Sequence, residues 1–215
     1  MYKYILFDLD GTLTDPGIGI TNSVSYALGK FGINNVDRTE LYKFIGPPLT
    51  DSFMEYYNFS EAESLQAVEY YREYFKSKGI FENRVIHGIT EVLVALKQSG
   101  KTILLATSKP EQFALKILKH FDLLKFFHHI AGATMDETRT KKADVIRYAL
   151  EMCNIDQFKE AIMVGDREHD IIGANQVGID SIGVLFGYGC REELEKAHAT
   201  YIAEKPENLI EIIGF

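Results

Sequence analysis

The chain opens on a short apolar run, Tyr4-Ile5-Leu6-Phe7, that reads as a buried strand and ends at once in polar residues. From Asp15 to about Arg84 the hydrophobic rhythm is helical. Ile20, Val24, Leu28 and Phe31 recur at helical spacing, and Leu41, Phe44 and Ile45 predict a further short helix stopped by Gly46-Pro47-Pro48. Ser60 and Glu63 form a capping-box pair ahead of Leu65, Val68 and Tyr71, with Gly79 closing that helix. The aromatic residues crowded into this block read as packing of a helical bundle.

From Gly88 onward helix and strand alternate. Ile89, Val92, Leu93 and Leu96 make one helical face, and Thr102-Ile103-Leu104-Leu105-Ala106 follows as a strand. Pro110 falls early in the next helix. Strands near His129-Ile130-Ala131, Ala161-Ile162-Met163-Val164, Ser181-Ile182-Gly183-Val184-Leu185 and Tyr201-Ile202 are separated by helical patterns, and a short helix follows Pro206. Strands alternating with helices of this length predict a doubly wound parallel sheet, an α/β fold. A helical insertion after its first strand would lie over the strands' C-terminal edge, where open α/β sheets bind ligands. The expected division is an α/β core of residues 1–14 and 85–215 and a helical cap of residues 15–84.

Composition narrows the function classes. The 215 residues are 46% hydrophobic and 25% charged, an ordinary globular balance. A net charge of −8 without a basic block disfavours nucleic acid polymers and anionic membranes as partners. No run approaches the roughly 18–20 apolar residues that span a bilayer. The N-terminus lacks a charged segment followed by a long apolar one, so a cytoplasmic protein is expected. Cys153 and Cys190 stand in no metal-binding pattern and read as small buried residues.

Candidate chemistry falls at four strand ends or helix starts. Asp8-Leu9-Asp10-Gly11-Thr12 follows the first strand, and two carboxylates that close repel unless a cation compensates them. Thr107-Ser108-Lys109-Pro110 leads into a helix N-terminus, a natural anion site. Arg139-Thr140-Lys141-Lys142 precedes another helix, and Val164-Gly165-Asp166-Arg167-Glu168-His169-Asp170 closes a later strand. His169 reads as a surface residue. Hard oxygen ligands without a histidine or cysteine cluster point to Mg²⁺.

Asp-x-Asp-Gly-Thr-Leu, the threonine after a strand, the lysine before a helix and Gly-Asp-x-x-x-Asp occur in the order and approximate spacing of the haloacid-dehalogenase-like (HAD) hydrolase superfamily. The chain resembles that superfamily over essentially its whole length. The insertion looks like its C1-type cap. Phe44-Ile45-Gly46-Pro47-Pro48-Leu49 resembles the branch of phosphoglycolate phosphatases and 5′-nucleotidase-like phosphatases. The resemblance implies a Rossmann-like core and hydrolysis of a small phosphomonoester. In it Asp8 is the nucleophile, forming an aspartyl-phosphate, and Asp10 is the general acid and then the base. Thr107 and Ser108 bind the phosphoryl group, and Lys142, preferred over Lys141, neutralises it. Mg²⁺ is held by Asp8, the backbone carbonyl of Asp10, Asp166 and Asp170. The cap, around Gly46, decides the substrate.

A mutase like β-phosphoglucomutase, which keeps all four motifs, is the alternative. A dehalogenase has no need of Asp10. In a receiver domain the acceptor aspartate follows a middle strand, whereas Thr107 does so here. The expected partner is a small phosphorylated metabolite, and the protein itself a monomer or homodimer.

Overall fold

The computed structural model describes residues 1–136 and 138–214. The chain enters through β1 (Tyr4–Phe7) and the two-residue β2 (Thr14–Asp15). Three helices follow, α1 (Gly17–Lys30), α2 (Leu49–Tyr57) and α3 (Glu61–Ser77), before β3 (Arg84–Val85). The remaining elements alternate as α4 (Ile89–Gln98), β4 (Thr102–Pro110), α5 (Glu111–His120), β5 (His129–Ala133) and α6 (Lys142–Met152). Then come β6 (Ala161–Gly165), α7 (Glu168–Val177), β7 (Asp180–Val184), α8 (Arg191–Lys196), β8 (Tyr201–Ala203) and α9 (Asn208–Ile213). Two compact units result, Met1–Asp15 with Val85–Phe215, and Pro16–Arg84. Asp15 thus falls with the first unit, one residue beyond the expected boundary, because it belongs to β2 and its carboxylate accepts from the Tyr188 hydroxyl.

The first unit is the doubly wound α/β fold. Its six strands run in the order β5-β4-β1-β6-β7-β8, every pairing parallel. β1 sits centrally because Ile5, Leu6 and Phe7 are apolar on both faces and fully buried. On one face Leu6, Leu104 and Met163 meet Val145, Ile146, Ala149 and Leu150 of α6 and Ala174 of α7. The chain moves outward from β1 through β4 to β5, then crosses back and moves out the other way from β6. The reversal makes the C-terminal ends of β1 and β6 the switch point, where such sheets bind ligands. Among the described residues no helix is long and apolar enough to cross a membrane.

The helical unit rests on the capping box at Ser60, whose hydroxyl accepts from Glu63 N while the Glu63 carboxylate accepts from Ser60 N at 2.8 Å. The buried stripe of α3 is Ser64, Ala67, Val68, Tyr71 and Phe75, so Leu65 lies one position off it and is exposed, against expectation. Aromatic rings fill the interior: Phe44 and Phe53 lie 5.0 Å apart and Tyr71 stacks on Phe75 at 5.3 Å. The helix expected at Leu41–Ile45 is a 3₁₀ segment, Arg38–Phe44, whose entry Asp37 caps by accepting from Thr39 N.

Two further expectations are corrected. Pro110 ends β4 and caps α5 instead of lying inside the helix. Cys190 is exposed at the start of α8, and Cys153, at the end of α6, is only half-buried at the edge of the core cluster it packs against.

Candidate active site

The site is built from the ends of β1, β4 and β6 and the starts of α6 and α7. Past β1 the ladder continues for one residue, with Asp8 N donating to Val164 O at 2.9 Å. The chain then folds on itself, Leu13 N and Thr14 N both donating to the Leu9 carbonyl. Gly11 allows the turn. Its φ is +80°, and a Cβ there would run into the Asp166 carboxylate. Asp8 and Asp10 are thereby held together, and each has its own cation: Lys142 Nζ lies 2.7 Å from Asp8 Oδ1, and Lys109 Nζ lies 2.6 Å from Asp10 Oδ2.

Lys142 is the first residue of α6 and is buried, whereas Lys141 caps that helix and is exposed. Besides Asp8, the Lys142 ammonium donates to Asp170 Oδ1 at 2.6 Å and to the Ala106 carbonyl at 3.1 Å. Burial pulls its pKa down, but the Asp170 and Asp8 carboxylates outweigh that and leave it raised. The charged lysine is the stable form here.

Asp166 and Asp170 follow β6, and carboxylate oxygens of Asp8, Asp166 and Asp170 lie within 4.8 Å of one another, all three residues buried. Asp166 Oδ1 accepts from the Thr12 hydroxyl at 3.2 Å and Oδ2 from Tyr188 N at 2.8 Å. Asp170 Oδ2 accepts from Arg167 N at 3.1 Å. Burial, then the charges of Asp170 and Asp8, push Asp166 well above the usual carboxylate range, with the Tyr188 N–H opposing. Burial also raises Asp170, against the pull of Lys142.

Four carboxylates thus face two lysines, and the nearby Arg167 is taken up by Glu193 at 2.8 Å. Carboxylates outnumber cations in this cluster. A hard divalent cation fits that deficit, and the all-oxygen donor set with no histidine or cysteine suits Mg²⁺.

Asp10 also has a raised pKa, from burial first, with Lys109 opposing. Its Oδ1 is buried and has no hydrogen-bond partner among the described residues. Thr107 is buried at the end of the regular part of β4, where its hydroxyl accepts from Lys109 N at 3.2 Å, and Ser108 beside it is half-buried. Gly46 is a residue of the helical unit, in the turn before α2 with φ +108°. His169 is exposed.

Three contributors escaped the sequence reading. Lys109 stood only among the residues before a helix, and Thr12 as a donor to a bound anion, whereas its hydroxyl donates to Asp166. Tyr188, flanked by Gly187 and Gly189, carried a faint signal: paired glycines just beyond a strand that ends at the same sheet edge.

The chain as a whole is similar to known proteins. The model for haloacid dehalogenase-like hydrolases covers residues 5–184. The chain belongs to that family. A 5′-nucleotidase of Pseudomonas aeruginosa is 46% identical over 200 residues, 93% of this chain and 90% of that protein. The tyrosine-protein kinase PtkA of Mycobacterium tuberculosis is 35% identical over 214 residues, 99% of this chain and 72% of that protein. The crystal structure of a predicted phosphatase from Clostridium acetobutylicum superposes with a TM-score of 0.96 at 51% identity, covering 99% of this chain and 98% of that one. Within its family the chain is an enzyme of the phosphatase kind.

Proposed function

We propose that the protein is a Mg²⁺-dependent phosphatase of small phosphomonoesters, nucleoside 5′-monophosphates foremost, acting through an aspartyl-phosphate on Asp8. The observation that carries this reading is the division of labour after β1: Asp8 paired with Lys142 inside the acidic cluster, and Asp10 paired with Lys109 with one buried oxygen to spare. The 46% identity to a 5′-nucleotidase favours nucleotides over phosphoglycolate as the first substrates to try.

In the first half-reaction a carboxylate oxygen of Asp8 attacks phosphorus. The bond from phosphorus to the ester oxygen breaks, and that oxygen leaves with the electron pair and takes the proton held by Asp10. In the second half-reaction Asp10, now a carboxylate, takes a proton from water as the water oxygen attacks phosphorus. The bond to Asp8 breaks, phosphate leaves, and both aspartates return to their starting states.

Lys142 pairs with Asp8 and draws charge off the phosphoryl oxygens, while Thr107 and Ser108 donate hydrogen bonds to them. Asp8, Asp166 and Asp170 would hold Mg²⁺ with the Asp10 backbone carbonyl, since the Asp10 side chain is engaged by Lys109. The ion, when bound, offsets the repulsion between the carboxylates and the incoming phosphate.

The natural partner in this reading is a small phosphorylated metabolite. A phosphate-release screen with and without Mg²⁺ over nucleoside 5′-monophosphates, phosphoglycolate and sugar phosphates tests the proposal. Conversion of one sugar phosphate into its isomer without phosphate release would favour a mutase. Full activity in excess chelator would remove the metal from the reaction.

A further inference from the structure

Lys109 owes its position to an interruption of the sheet. β4 pairs with β5 through Thr107 and Gly132, and next through Pro110 and Ala133, so Ser108 and Lys109 bulge out between consecutive partners. Bulges of this kind re-aim side chains beside active sites. Pro110 follows with no N–H to give the ladder, and Lys109 N turns instead to the Thr107 hydroxyl. Gly132 gives the bulge room, since a Cβ there would come 2.8 Å from the Lys109 carbonyl oxygen.

The lysine side chain so delivered is only 7% exposed and ends 2.6 Å from Asp10 Oδ2. A long cation held out of water loses hydration and rotamer freedom, which one well-made ion pair has to offset. What the pair achieves is selection between two otherwise equivalent oxygens. Oδ2 is occupied by the ammonium, while Oδ1 is left buried without a partner among the described residues, a costly state unless a substrate or water atom meets it.

We propose that Lys109 is a positioning residue for acid–base catalysis: it clamps Asp10 by Oδ2, so that Oδ1 is the atom that gives the proton to the leaving oxygen and later takes one from water. This rests on the phosphatase reading above and adds to it which oxygen works and what aims it. Lys142 serves the phosphoryl group and Lys109 the leaving group, so the two lysines affect different substrates differently.

The test compares the wild type with Lys109→Met and Lys109→Arg at saturating Mg²⁺. One substrate is whichever alkyl monoester the enzyme hydrolyses fastest, whose alkoxide needs a proton. The others are p-nitrophenyl phosphate and acetyl phosphate, whose leaving groups depart without one. Lys109→Met is expected to lose about 100-fold in kcat/KM, which reads the first half-reaction alone, on the alkyl ester and less than about 3-fold on the other two, the range that general acid catalysis accounts for. Lys109→Arg recovers much of the loss. An equal fall in kcat/KM on every substrate, or none on any, overturns the proposal.

A crystal structure of Lys109→Met supplies a readout independent of turnover. Asp10 should leave its place or occupy several rotamers, and an unmoved Asp10 would overturn the clamp. Should the Met variant fail to fold, Lys109→Gln replaces it in both measurements. A wild type inert on every phosphate ester would defeat the phosphatase reading, while the crystal structure still decides the clamp.

Discussion

The backbone N–H of Tyr188 donates to Asp166 Oδ2 at 2.8 Å, so a loop beyond β7 holds in place a carboxylate that follows β6. Close approach requires the glycines on either side: a Cβ at Gly187 would run into Asp166 and the Gly11 carbonyl, and one at Gly189 into the Asp166 carbonyl. The loop is the outer shell of the acidic cluster, and such outer hydrogen bonds orient metal ligands. Gly187→Ala is therefore expected to weaken Mg²⁺ binding by about tenfold or more. Thermal shifts titrated with Mg²⁺ would read this, and an unchanged midpoint would mean that Asp166 needs no such support.

Lys142 and Lys141 are adjacent in sequence and opposite in setting. Lys142→Met would leave Asp8 and Asp170 facing each other without their shared cation. Removing one partner from a buried ionic group costs on the order of 3–5 kcal/mol. Lys141 is exposed, and Lys141→Met should melt and turn over like the parent protein. Denaturant unfolding of both variants checks the contrast, and equal effects would contradict the assignment of Lys142.

The carboxylates also give stability a defined dependence on pH. Asp10, Asp166 and Asp170 all sit above the ordinary value of 3.8, each through burial first. In the unfolded chain they ionise near that value, so as pH rises past it the unfolded state sheds protons before the folded one does. Without metal, stability must then fall as pH rises, until the folded-state groups have ionised as well. The raised Lys142 acts in the same direction, but only near its own high range. Melting temperature in chelator is expected to drop as pH rises above the carboxylates' ordinary range, and Mg²⁺ to restore most at the upper end of that fall. A rise there without metal would refute the linkage.

Much of this was legible in the sequence, for physical reasons. The strands of the sheet are buried on both faces, so β1 and β6 read as apolar runs whose ends are marked by Asp8 and Asp166. Lys142 precedes a clear helical pattern, and the Ser60–Glu63 pair announces α3 from local chemistry alone. What stayed hidden depends on residues far apart in the chain. The bulge that turns Lys109 toward Asp10 exists only because β4 pairs with β5 around Gly132. The Tyr188 N–H matters only because β7 ends beside β6. Leu65 shows the limit within one helix: a one-position rotation of the buried stripe moves a leucine from core to surface.

The nucleophile assignment yields the last prediction. Asp8→Asn keeps the shape of the side chain but replaces a carboxylate oxygen with an amide, which cannot attack phosphorus at a useful rate, so phosphate release should fall by at least about 10³-fold. The same change removes one of four carboxylates facing two lysines, while Lys142 keeps Asp170 and the Ala106 carbonyl as partners. Asp8 raises the pKa of Asp10, Asp166 and Asp170 alike, so its neutralisation relieves all three. In chelator near neutral pH the variant should accordingly melt no lower than the parent, the pattern of a site whose charges serve chemistry at the expense of the fold. Loss of activity together with a markedly lower melting temperature would instead mark Asp8 as a structural residue whose ion pair with Lys142 holds β1 to α6. Retention of most activity would assign the nucleophile elsewhere.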